Sequence, residues 1–228
     1  MVNPVHGVAH YENFPVASWL CPPALRAPVR AIYAFARCAD DIADEGNASA
    51  AQRLLDLQAY RAEFLAAVAT AAPDATPAAG QCWPHIMPAL AQQVHAWQLP
   101  LESLLHLLDA FEQDVRRTAS GQLYADLPEL LGYCSRSANP VGRLLLHLYG
   151  VRDERSLQQS DAICSALQLI NFWQDLSLDL PRQRHYLPLA ALRRHGVELE
   201  SLHPSAGEQP QAQAMLLELC AHARALMH

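Results

Sequence analysis

Two apolar stretches carry acidic side chains at helical spacing, and this pairing constrains the fold more than anything else in the chain. In the first, AIYAFARCADDIADE, the apolar residues Ala31, Ile32, Ala34, Phe35, Ala36, Ala39, Ile42 and Ala43 fall on every side of a helix, which predicts a buried one. Into it are set Arg37, Asp40, Asp41 and Asp44. Asp40 and Asp44 share a face, with Arg37 one turn earlier, and carboxylates so close repel one another unless a cation sits between them. The second stretch, ALQLINFWQDLSLDLPRQRHYLP, puts Gln168, Asn171, Asp175 and Asp179 at spacings of three, four and four, flanked by Leu167, Leu169, Ile170, Phe172, Trp173, Leu176 and Leu178. Such a polar stripe in apolar surroundings suits an internal cavity better than bulk water, and two stripes can face each other across it.

The rest of the chain reads as helix. Helix-forming alanine, leucine, glutamine and arginine dominate, glycines number 9 in 228 residues, and no alternating run bounded by turn residues marks a sheet. The expected architecture is all-α, a single domain over residues 1–228 forming a helical bundle around a central apolar cavity. Pro22 and Pro23 suit the first turn of a helix that Gly46 ends. Ser49 and Gln52 form a capping box for a helix reaching about Ala72, and PDATPAAGQCWP is a loop. Further helices are predicted over 85–98 and 101–119. Another over 127–149 is kinked at Asn139-Pro140. Ser156 and Gln159 are expected to cap a helix over 157–180 that Pro181 stops, with weaker helices at 189–195 and 208–228.

Charge and cysteine usage exclude several functions. Sixteen basic residues against 23 acidic ones give a net charge of −7, and no basic run offers a nucleic-acid surface. Every fixed side-chain cation is an arginine, since the chain has no lysine. Cys21, Cys38, Cys82, Cys134, Cys164 and Cys220 lie far apart without a CxxC, and read as reduced, mostly packed thiols of a cytoplasmic protein. Neither an export signal nor a run of about 18 apolar residues is present.

The carboxylate and amide oxygens of the two stripes suit a hard cation. Magnesium, which keeps several waters and bridges to phosphate, commonly uses carboxylates as sparse as these. A di-iron site would want ExxH on two helices, and there is none. No P-loop or GxGxxG turn offers backbone to a phosphate, so metal and arginine must hold it, with Arg37 and Arg184 the candidates. An isolated DxxxD is most often a solvated face; two of them in apolar helices point to metal. Tyr33, Phe35, Phe172 and Trp173 are by default core aromatics. The histidines show no ligand spacing, except His6 and His10, read as terminal surface residues.

These segments resemble the squalene/phytoene synthase family, whose members carry two aspartate-rich motifs on opposed helices of an all-α isoprenoid-synthase fold. HYENFPVAS followed by RAIYAFARCADDIADEG looks like the family's amino-terminal signature and first metal motif. LQLINFWQDLSLDLPRQRHYLP looks like its second, and GYCSRSANPVG like the kinked helix between them. The resemblance spans roughly residues 10 to 190. It implies that Asp40, Asp44, Asp175 and Asp179 coordinate magnesium bound to a substrate diphosphate, with Asn171 and Gln168 nearby. Phe14 and Tyr33 complete the candidate substrate-binding set with Arg37 and Arg184. Tyr133, on the kinked helix, is a candidate to aim a hydroxyl at the cation, the diphosphate or a water; Asp114 and Arg117 are further candidates from the preceding helix.

Within the family the wording is most like the bacterial hydroxysqualene synthase branch of hopanoid precursor synthesis, which implies presqualene diphosphate as substrate and water capture as the outcome. Gln174, where many members have arginine, and Pro140 agree with this branch. Other readings are condensation of farnesyl diphosphate to presqualene diphosphate, continuation to squalene, and a non-catalytic helical partner of a sister synthase. An all-α nucleotide pyrophosphohydrolase would be expected to use glutamate-rich motifs. Family members usually continue several tens of residues past the point where this chain stops, which predicts a shortened carboxyl end. A water-insoluble product suggests peripheral contact with the inner face of a membrane, although no basic amphipathic stretch marks an anchor.

Overall fold

A computed structural model of the chain describes residues 21–70, 82–202 and 209–228. Phe14, His6, His10 and most of the PDATPAAGQCWP loop lie outside these residues.

The helices form where the sequence predicts them, with informative exceptions. A 3-10 turn at Pro23–Leu25 leads into α1 (Arg26–Asp44), and Gly46 follows it with a φ of +75°, a conformation costly to a residue with a Cβ. Ser49 accepts from the Gln52 amide at 3.2 Å to start α2 (Ala50–Thr70). Only half of the capping box forms, because the Gln52 side chain reaches forward to Asp56 at 2.8 Å. Next come α3 (Met87–Trp97) and α4 (Leu101–Ser120). The region expected to kink is two helices, α5 (Leu127–Ser137) and α6 (Asn139–Leu148), parted at Ala138. Pro140 has no N–H to continue the ladder.

The helix of the second stripe departs from expectation at both ends. It starts at Glu154, capped by Asp153, which accepts from the Ser156 amide at 2.9 Å; aspartate is as good a cap as serine, and it comes first in the chain. It also stops early. α7 (Glu154–Gln174) ends at Asp175, with φ −93° and ψ 12°, before the short α8 (Leu176–Asp179) and a 3-10 turn at Leu180–Arg182. The four-residue stripe is therefore not one continuous helix face. α9 (Leu189–His195) and α10 (Pro210–Leu226) follow.

α1 is not buried all round. Val29, Ile32, Phe35, Ala39 and Ala43 form one buried face, while Ala31, Ala34 and Ala36 are only half-buried. Alanine loses little by being left near water, so apolar composition overstated the burial of this helix. Among the cysteines Cys134 is buried but Cys82 and Cys220 are exposed.

Among the described residues two apolar clusters hold the fold. The first joins α1, α2, α3 and much of α4 through Phe35, Leu57, Tyr60, Phe64, Leu104 and Leu108. The second joins α5, α7, α9 and α10 through Tyr133, Leu169, Trp173, Leu192 and Leu219, with Ala110 of α4. Each fully buried leucine or phenylalanine contributes about 1.5–3 kcal/mol. α4 packs on α1 and α2 on one side and on α5 and α6 on the other, while α7 packs on α5, α6 and α10. At Gly142 the α6–α7 approach is so close that a Cβ would lie 2.4 Å from Ser160 Oγ. The two stripes thus sit on helices anchored in different clusters, with α4 between them. Among the described residues no helix is long and apolar enough to cross a membrane.

Candidate active site

The carboxylates of the two stripes meet through one arginine. Arg184 follows the second stripe, and its backbone amide donates to the Asp179 carbonyl at 3.1 Å. Its guanidinium bonds the Asp44 carboxylate of α1 and lies 3.9 Å from that of Asp179. The first motif and the end of the second are thereby tied across the molecule. Arg37 closes instead on its own helix, with Nη1 2.8 Å from Asp40 and Nη2 2.8 Å from Asp41; the contact to Asp41 Oδ1 is an ion pair without hydrogen-bond geometry.

Around this tie lies a cavity of about 460 Å³ lined by Asp44, Asp114, Arg53, Arg182, Arg184 and Thr118 among others. A larger one of about 830 Å³ adjoins the second motif, with Leu123, Leu176, Leu180, Leu199 and Leu216 in its apolar walls. Burial pushes the Asp40 carboxyl up to about 6, and the Asp44 charge adds to the effect against the pull of Arg37. Asp179 is likewise raised to about 6, first by burial, with Arg184 opposing and Asp175 reinforcing. Both carboxylates carry charge where solvent does little to support it.

The other sequence-nominated residues are distributed as follows. Asp175 is exposed at the break between α7 and α8, and Gln168 and Asn171 are half-buried on α7. Tyr33 is half-buried on α1. Tyr133 is buried, and its hydroxyl donates to Asp114 Oδ2. Arg117 turns away from the site, bonding Glu129 and the Leu123 carbonyl and covering the Tyr124 ring at 4.0 Å.

Two residues, Tyr186 and Arg53, had no role assigned from sequence, and a third, Asp114, was only a further candidate from the helix before Tyr133. Tyr186 donates to Asp114 Oδ1 at 3.1 Å, stacks on Phe172 with centroids 3.8 Å apart, and accepts at its carbonyl from Trp173 Nε1 at 3.3 Å. It stands two residues after Arg184 within a motif already singled out, and that proximity was the available signal. Asp114, held by the two tyrosines, is pushed up to about 7, first by burial; the hydroxyls and Arg184 oppose the shift and Asp44 adds to it. Arg53 of α2 donates to the carbonyls of Ile42, Glu45 and Gly46, each at 2.9 Å, and so caps the helix of the first motif. Nothing local in the sequence around Arg53 signals this long reach. Arg182, on the turn between Asp179 and Arg184, is exposed.

The donor chemistry fits a hard divalent cation. All candidate ligands are oxygens, and a cation between them would relieve the repulsion and desolvation that raise Asp40 and Asp179. Among the described residues no three His, Cys, Asp or Glu side chains converge on a point where they would hold an ion by themselves. Magnesium commonly uses one or two carboxylates per ion and completes its shell with water and substrate phosphate.

Comparison with known proteins extends this picture. Residues 8–228 match the family model described as squalene/phytoene synthase. A hydroxysqualene synthase of Sinorhizobium fredii is 35% identical over 218 residues, covering 95% of this chain and 68% of that protein. One of Rhodopseudomonas palustris is 37% identical over 206 residues, covering 90% and 63%. The crystal structure of squalene synthase HpnC from Alicyclobacillus acidocaldarius superposes with a TM-score of 0.79 at 34% identity, covering 95% of this chain and 76% of that one. The chain thus spans about two thirds of the length of the curated relatives it matches.

Proposed function

The chain belongs to the squalene/phytoene synthase family, and from that premise we propose that it converts presqualene diphosphate to hydroxysqualene with release of diphosphate. The observation that carries this reading is the Arg184 tie, which holds Asp44 of one motif and Asp179 of the other on a single guanidinium at the edge of the cavity that Asp44 and Arg184 line. Similarity to two hydroxysqualene synthases supports the choice of substrate.

Asp40, Asp44, Asp175 and Asp179 are the residues that would hold magnesium. When bound there, the metal neutralises charge growing on the departing diphosphate. The protein's own part begins with orientation. Arg184 fixes the distance between the motifs, and Arg37 keeps Asp40 and Asp41 from repelling each other in the resting state.

Loss of diphosphate leaves a carbocation, which must meet one water and no protein nucleophile. The packed rings of Phe172, Tyr133, Tyr186 and Tyr124 form a polarizable cluster around Asp114. Water addition forms a C–O bond and an oxonium, whose proton must then leave. Asp114, raised to about 7 and bonded by the hydroxyls of Tyr133 and Tyr186, is placed to accept it through either tyrosine. The carboxylate gains one proton, and the product leaves as a neutral alcohol.

The test is incubation of purified protein with presqualene diphosphate and, separately, farnesyl diphosphate, each with and without magnesium, followed by mass analysis of the lipid extract. Hydroxysqualene formed from the first substrate, and only with magnesium, is the expected result. Presqualene diphosphate formed from the second would move the protein to the condensing branch, and no product from either would sink the enzymatic reading.

A further inference from the structure

Three arginines line the cavity beside Asp44, and they differ in what their guanidinium groups already do. Arg53 donates to three backbone carbonyls. Arg184 is bonded to Asp44 and faces Asp179. Arg37, the other sequence-nominated phosphate ligand, is closed on Asp40 and Asp41. Arg182 is different. It is exposed, it stands on the 3-10 turn between Asp179 and Arg184, and among the described residues it makes no hydrogen bond or ion pair. It nonetheless lines the same cavity as Asp44 and Arg184.

A diphosphate entering this cavity needs donors, and each committed arginine must give up a partner to supply one. Releasing Asp44 or Asp179 from Arg184 would leave a carboxylate uncompensated beside an anion. Releasing the carbonyls from Arg53 would uncap α1. Arg182 breaks nothing when it binds, and its planar fork of donors matches a phosphate edge. On the functional reading above, we infer that Arg182 is a substrate-contacting residue, the free guanidinium that takes the diphosphate group and holds it after it leaves carbon.

Magnesium with inorganic diphosphate is a sufficient probe, because the inference concerns the leaving group alone. Calorimetric titration should show binding to the wild-type protein and about tenfold weaker binding to Arg182→Gln, a difference of ~1.4 kcal/mol. Arg182→Lys should recover part of the loss. Arg224→Gln, which removes an exposed charge on α10, should bind as wild type does. In turnover, Arg182→Gln should raise KM for the prenyl diphosphate with little change in kcat and weaken inhibition by added diphosphate in parallel, with unchanged thermal stability. Equal affinity of wild type and Arg182→Gln, or an equal loss in Arg224→Gln, overturns the assignment of Arg182 alone. Failure of the wild-type protein to bind magnesium diphosphate overturns the functional reading with it.

Discussion

The two aspartate motifs of this chain sit on different kinds of backbone. The first occupies the end of a continuous 19-residue helix, α1, whose C-terminal end is capped by Arg53 and whose Asp40 and Asp41 are answered by Arg37 on the same helix. The second is divided. α7 stops at Asp175, Asp179 falls on the short α8, and the arginine that follows looks across to Asp44. The first motif therefore keeps its helix and the pairing of Asp40 and Asp41 within its own half of the molecule and reaches out only through Asp44, whereas the second acquires its geometry by contact with the first. A site that must close around a diphosphate and later let it go has its room for adjustment on the second side.

The largest expected effect comes from removing one carboxylate on each side. Asp44→Ala and Asp175→Ala should each lower turnover by on the order of 10³-fold while far-UV circular dichroism stays helical. They should differ in the absence of metal. Asp44→Ala leaves the Arg184 guanidinium with only a 3.9 Å contact to Asp179 and should lower the melting temperature. Asp175, exposed at the helix break, should leave it unchanged. A destabilised Asp175 variant beside an unaffected Asp44 variant would reverse the comparison.

The next effect concerns Asp114, which joins the halves: it stands on α4, with Tyr133 of α5 and Tyr186 beyond the second motif as its donors. Its carboxyl is raised from 3.8 to about 7, first by burial. Such a group contributes stability that is fully present below about pH 4 and is lost as pH rises through 7, by on the order of 4 kcal/mol at most. Asp40 and Asp179, raised to about 6, act in the same direction. Urea midpoints of the metal-free protein should fall between pH 5 and pH 8, and Asp114→Asn should flatten part of that fall. An unchanged slope would mean that Asp114 is not the buried carboxyl described.

What was legible in the sequence follows the same division. The first motif could be read because its determinants are local: prolines before it, Gly46 after it, and Arg37 one turn from Asp40. The all-α architecture was legible for the same reason, and so was an interruption at Asn139-Pro140, read as a kink where the chain forms two helices. The second motif was read as an uninterrupted helix to Pro181, because Leu176, Leu178 and Leu180 are good helix formers and nothing local marks a stop at Asp175. The Arg184–Asp44 bond joins residues far apart in the chain, as does the capping of α1 by Arg53. Spacing cannot predict either. Asp114 and Tyr186 belong to the same class, since their meeting depends on how α4 packs against the far side of the bundle.

Arg53 offers the smallest and most local test. Its three carbonyl bonds satisfy acceptors that a helix end leaves open, and its charge opposes the negative end of the α1 dipole, together worth about 1–2 kcal/mol. Arg53→Ala should raise amide hydrogen exchange at residues 42–46, including the Glu45 amide that now donates to the Asp41 carbonyl at 2.9 Å. Exchange at 175–184 should hardly change. The magnesium concentration for half-maximal activity should rise several-fold with kcat largely retained, because Asp40 and Asp44 must be ordered at binding instead of beforehand. Arg53→Lys, with one donor group in place of a fork, should fall between the two. If exchange at 42–46 stays at wild-type levels, core packing through Ala39 and Ala43 suffices to hold the first motif, and the contrast between a preformed half and an adjustable half reduces to the helix break at Asp175.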